Sequence, residues 1–138
     1  MPGRQHEPEM SETEARRIFA ACSGDRLSAA LQDVLRNFRQ NGWLTIDQAA
    51  NLAEMSARSF QRRLAAEGET FARILEHTRA EFAKHLLKCT RRPLSEIASE
   101  LGYTERTNFV RAFKRWTGVT PQQFRAQFAN TFDDDPVA

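Results

Sequence analysis

A chain of 138 residues, 41% hydrophobic and 28% charged, can hold one compact domain with a true core, or two small ones sharing a helix, but not a separate ligand-sensing domain as well. No apolar run approaches the roughly 18 residues that span a bilayer. Residues 1–10 are polar and unlike a signal peptide, and Cys22 and Cys89 stand at no metal-ligand spacing, so reduced thiols and a cytoplasmic address are expected. The net charge of +2 conceals a segregation: Ser56 to Trp116 holds thirteen Lys or Arg against seven Asp or Glu, a local +6 against −4 elsewhere, which suits a polyanionic partner.

Apolar residues recur at three- and four-residue spacing with no sustained alternation, so the elements read as helices. Ser11 and Glu14 form a capping box for a first helix, Glu12 to Ala21, ending near Ser23 and Gly24. A second helix is expected from Ser28 to Gln40, with Leu31, Val34, Leu35 and Phe38 on one stripe and Asn41-Gly42 closing it. Thr45 and Gln48 open a third helix at Ile46, and Ser56 caps a fourth that ends near Glu67 and Gly68. Thr70 begins the longest helix, Phe71 to Cys89, with Phe71, Leu75, Phe82 and Leu86 as its apolar repeat. Pro93 is expected in the first turn of the next helix, which carries Leu94, Ile97, Ala98 and Leu101 and stops at Gly102. Thr104 is expected to cap the following helix, buried along Phe109, Phe113 and Trp116 and closed by Gly118. Thr120-Pro121-Gln122-Gln123 starts a last helix with Phe124 and Phe128, and the Asp133-Asp134-Asp135 tail is expected to fray.

One pattern is written twice along this series. Ala49-Ala50, Ala53, Met55-Ser56, Phe60 and Leu64 return as Ile97-Ala98, Leu101, Tyr103-Thr104, Phe109 and Phe113, forty-eight residues on before the turn and forty-nine after it, because the second loop is one residue longer. Each copy reads as an apolar helix, a tight turn with a hydroxyl N-cap, and a second helix with a polar, basic outer face, the pattern of a helix-turn-helix. The nineteen-residue helix between them would be a rod of roughly 28 Å, comparable to one turn of duplex DNA. Two second helices at its ends would enter successive major grooves from a single chain.

The pattern of the second copy resembles the DNA-binding domain of the AraC/XylS transcriptional regulators. The resemblance covers Leu44 to Phe128 and is most specific from Pro93 to Tyr103 and from Asn108 to Pro121, with its phenylalanine-rich helix, Phe113-Lys114-Arg115, Gly118 and Thr120-Pro121. It implies an all-α domain of two helix-turn-helix subdomains (45–67 and 93–117) joined by a linker helix (71–89), with a final helix at 121–128. Residues 1–43 would then be an N-terminal helical extension or connector, and 129–138 an acidic tail. The implied function is promoter binding and contact with RNA polymerase to activate transcription, with an upstream effector-binding domain outside this chain. Glu54 departs from the glycine often found at its place in the family, so the first turn is expected to be less tightly left-handed.

By position, the resemblance assigns base contacts to Arg58, Gln61 and Arg62 on the first reading helix, and to Arg106, Thr107, Asn108 and Arg111 on the second. The chemistry agrees: Arg pairs with guanine O6 and N7, Gln and Asn with adenine N6 and N7, and Arg58, Gln61 and Arg62 can share a face opposite Phe60 and Leu64. Arg63, Arg91, Arg92, Lys114 and Arg115, near helix ends and flanks, suit phosphates, as do the capped helix starts at Ser56 and Thr104. An enzyme is not expected, and neither is a metal or a cofactor. His6, His77 and His85 have no ligand-spaced partner, and no phosphate loop or nucleophile motif occurs. The alternative reading is a helical module that binds protein without reading DNA sequence.

Overall fold

Side-chain caps set most of the helix starts among the described residues. The computed structural model describes residues 10–22, 26–38 and 42–128, and the helices among them, in chain order, are α1 (Glu12–Ala21), α2 (Leu27–Asn37), α3 (Ile46–Leu52), α4 (Ala57–Ala66), α5 (Phe71–Cys89), α6 (Leu94–Glu100), α7 (Arg106–Thr117) and α8 (Pro121–Ala126). Reciprocal capping boxes open α1 at Ser11 and Glu14, α3 at Thr45 and Gln48, and α8 at Thr120 and Gln123. Thr70 Oγ1 accepts the Arg73 N–H at 3.1 Å at the start of α5. Gly118, in the left-handed conformation at φ 90°, closes α7. No strand occurs among the described residues, and no helix there is long and apolar enough to cross a membrane.

The chain divides into two compact units, Met1–Thr78 and Arg79–Ala138, with the boundary inside α5. In the first, α1 and α2 share one core with the helices that follow: Ala15 and Phe19, then Leu31, Val34 and Leu35, meet Ala49, Ala50, Leu52, Phe60, Leu64 and Ile74. The Phe19 and Phe60 rings meet edge to face at 5.9 Å. The N-terminal helices therefore contribute to the hydrophobic interior around the first helix pair. α2 has no cap of its own at Arg26. The Glu67 carboxylate supplies one from the far end of α4, accepting the Leu27 and Ser28 N–H groups at 2.8 and 3.0 Å.

The second unit is built on rings. Phe109 and Phe113 of α7 are fully buried with Ile97 and Leu101, and the Phe113 ring lies 5.9 Å from Phe109, 6.3 Å from Trp116 and 5.5 Å from Phe124. The Arg125 guanidinium donates to the carbonyls of Leu87, Thr90 and Arg92 at 3.2, 3.2 and 2.7 Å, closing the end of α5 and its exit loop. Burial lowers the Arg125 pKa from its ordinary value.

Four expectations are corrected. α2 ends at Asn37, not Gln40, because Phe38 turns to extended backbone and buries its ring, while the Asn37 amide donates to the Asp33 carbonyl; Gln40 and Asn41 lie outside the described residues, as do Ser23, Gly24, His6 and the aspartate tail. Pro93 is the N-cap of α6, not its first helical residue, and its carbonyl accepts the Glu96 and Ile97 N–H groups. The buried face of α5 runs through Ile74, Thr78, Ala83, Leu86 and Leu87, whereas Phe71, Leu75 and Phe82 are only half-buried. Trp116 is half-buried too, although its indole nitrogen is enclosed.

Candidate nucleic-acid interface

The two turns share one hydrogen-bond frame. In the first, the N–H groups of Ala53, Glu54 and Met55 donate to Ala49, Asn51 and Ala50 at 3.0, 3.0 and 2.9 Å. Forty-eight residues on, Leu101, Gly102 and Tyr103 donate to Ile97, Ser99 and Ala98 at 3.0, 3.0 and 2.9 Å. The frame requires a left-handed residue at its centre, and Glu54 supplies it at φ 59° where Gly102 has φ 94°. The expectation of a looser first turn is thus overturned: a non-glycine residue adopts the left-handed conformation, held by the bonds on either side of it.

After the turn the two copies part. Ser56 caps α4, its Oγ accepting the Ser59 N–H at 3.1 Å. Thr104 does not cap α7; the N-cap is Glu105, which makes no side-chain cap bond. The extra loop residue explains the correction, since Phe60 and Phe109 must both be buried and each lies four residues past its N-cap. Core packing fixes the helix phase and leaves Thr104 exposed in the turn. Counted from the phenylalanines, Arg62 and Arg111 are equivalent, Arg58 matches Thr107, and Gln61 matches the half-buried Val110.

On α4, Phe60 and Leu64 are fully buried while Arg58, Gln61 and Arg62 are exposed. On α7, Phe109, Ala112 and Phe113 face the core, and Arg106, Thr107, Asn108, Arg111, Lys114 and Arg115 are exposed. Among the described residues, no hydrogen bond or ion pair engages the side chains of Arg58, Gln61, Arg62, Arg106, Thr107, Asn108, Arg111 or Lys114. Each unit thus presents a helix that carries several uncommitted side-chain donors on its exposed face.

The flanking cations are less uniform. Arg63 is half-buried, with Nη1 3.9 Å from the Met55 sulfur. Arg91 is exposed. Arg92 is held by α6: Nε lies 3.3 Å from a Glu96 oxygen and Nη2 2.6 Å from a Glu100 oxygen. Burial lowers its pKa, but the bonds and charges of Glu100 and Glu96 prevail and raise it. A phosphate would have to displace those carboxylates; Lys114 and Arg115 are exposed in the last turn of α7. His77 and His85 are exposed, and no group of His, Cys, Asp or Glu that could hold a metal occurs among the described residues.

Two helix pairs with a common turn, each offering a helix with an exposed basic face, define a helix-turn-helix DNA-binding protein. The model of a helix-turn-helix domain family matches residues 49–127. The chain belongs to the AraC-type helix-turn-helix family. It is 40% identical over 80 residues to the ornithine utilization regulator of Pseudomonas aeruginosa, a match covering 58% of this chain and 24% of that one. Among solved structures, the transcriptional regulator CdpR from Pseudomonas aeruginosa matches with a TM-score of 0.65 and 30% identity, over 85% of this chain and 36% of that one. The DNA-binding domain of the global transcriptional factor AdpA, solved with a target DNA, shares the fold at a TM-score of 0.61 and 23% identity, covering 78% of this chain and 94% of that one. The chain spans about a quarter of the length of the first curated relatives that it matches.

Proposed function

We propose that this chain is the sequence-reading part of a bacterial transcription regulator, an activator, and that α4 and α7 each enter a major groove, in succession along one duplex. The observation that carries this reading is the pair of identical turn frames, which present Arg62 and Arg111 at the same helical position with no internal partner. Arg58, Gln61 and Arg62 on one helix, and Arg106, Thr107, Asn108 and Arg111 on the other, read base edges. Ser56, Arg63, Arg91, Thr104, Lys114 and Arg115 contact phosphate, as does Arg92 once released from Glu96 and Glu100. The fold shared with the AdpA domain, solved on target DNA, supports the duplex as ligand. The same reading places the protein in the cytoplasm without enzymatic activity, acting on RNA polymerase and governed by an effector-binding domain upstream of this chain.

Arg62→Ala and Arg111→Ala test it by titration against a selected site and against random duplex. Base reading predicts a loss of roughly 1–3 kcal/mol on the selected site and a much smaller loss on random DNA. Equal losses on both would make these arginines phosphate contacts. Binding should also weaken with salt at a slope near −0.9 per phosphate contact, whereas a protein-binding module would show little dependence.

A further inference from the structure

α7 starts differently from α4, and the difference leaves an exposed acid at the first turn of the second reading helix. Glu105 occupies the place that Ser56 holds in the first unit, yet its carboxylate does not take the Asn108 N–H; that group reaches the Glu105 main-chain carbonyl at 3.2 Å instead. Glu105 is exposed, and no described residue pairs with its carboxylate, although Arg106 and Arg111 are nearby in sequence. The first turn of a recognition helix is the part that meets base edges.

An ionised carboxylate only accepts hydrogen bonds. In the major groove, guanine offers the acceptors N7 and O6, and thymine offers O4, so both repel it. Adenine has a donor at N6 but an acceptor, N7, beside it. Cytosine alone presents a donor, N4, with no adjacent acceptor on the same base. A carboxylate carried towards the polyanion is therefore unfavourable at every base except one. We propose that Glu105 is a specificity-determining residue of the second reading helix, its carboxylate accepting the N4 amino group of a cytosine and disfavouring the other bases at that position. This rests on the reading of the chain as a DNA reader.

The test is selection from a random pool of duplex oligonucleotides by the full chain and by its Glu105→Gln and Glu105→Ala variants, with circular dichroism to verify that all three fold alike. The wild type should favour cytosine over other bases at one position of the half-site bound by α7, by roughly tenfold. Glu105→Gln, which can both donate and accept, should turn that preference to adenine, and Glu105→Ala should erase it while the rest of the site is kept. If both variants select the wild-type site unchanged and bind every duplex more tightly, Glu105 merely repels phosphate and the proposal is overturned. If the wild type itself selects no site, the DNA-reading function fails with it, a result distinct from the first because no half-site then appears at all.

Discussion

The Leu27 N–H donates to the Glu67 carboxylate at 2.8 Å across forty residues of sequence, so the end of α4 caps the start of α2. Burial raises the Glu67 pKa, but the bonds from Ser28 and Leu27 and the charge of Arg63 outweigh it and the net shift is downward. Glu67→Ala should cost the first unit about 1 kcal/mol, the ordinary value of an N-cap tempered by solvent screening. The sign of the pH effect follows from the lowered value. The contribution is complete above the unfolded carboxylate pKa of about 4.3 and disappears as pH falls through the folded one. Urea titrations of wild type and variant should therefore diverge at neutral pH and converge in acid.

Arg125 does the converse service at the end of α5. Its guanidinium serves three carbonyls at once, a geometry that the single ammonium of lysine cannot reproduce. Arg125→Ala should destabilise the second unit by roughly 1–3 kcal/mol, and Arg125→Lys should recover only part of that. Thermal unfolding followed through Trp116 fluorescence in a Trp43→Phe background would report it, and equal stability of Lys and Arg at this position would refute the three-way cap.

The shared core of the first unit makes a demand on any shortened form. A chain of residues 44–128 lacks Phe19, Leu31, Val34 and Leu35, all buried against α3 and α4. Its first unit should be largely unfolded, visible as collapse of amide dispersion in NMR spectra for residues 44–78 while signals of the second unit persist. The single change Phe19→Ala should cost about 3–5 kcal/mol.

Glu54 and Gly102 offer a matched pair of opposite changes. A non-glycine residue in the left-handed region costs about 1–2 kcal/mol, partly offset by the extra chain entropy that glycine loses on folding. Glu54→Gly should therefore stabilise by roughly 0.5–1 kcal/mol, and Gly102→Ala should destabilise by about 1 kcal/mol. Denaturation midpoints of the two variants moving in the same direction would contradict the φ values assigned to these turns.

The helices were legible because their signals are local. Ser11 with Glu14, Thr45 with Gln48 and Thr120 with Gln123 fix three helix starts within three residues each, and the buried period of Phe60 and Leu64 identifies the outward face of α4 by subtraction. What escaped were interactions whose partners are far apart along the chain. Nothing around Glu67 points to Leu27, and nothing around Arg125 points to Thr90. Thr104 misled for a different reason: a hydroxyl before a helix is a good cap in isolation, but the depth of Phe109 decides where the helix begins. Glu105 carries no local sign of the role proposed for it, because an acid at a helix start ordinarily reads as a favourable partner for the helix dipole.

The uneven loops also dictate how specificities can be exchanged between the two halves. A chimera that transplants the outward residues of α4 onto α7 must be registered on Phe60 and Phe109, which carries Arg58 to position 107, Gln61 to 110 and Arg62 to 111. Registered instead on Glu54 and Gly102, the same graft would put glutamine at position 109, in the fully buried place of a phenylalanine, and would ruin the scaffold before any new sequence preference could be measured.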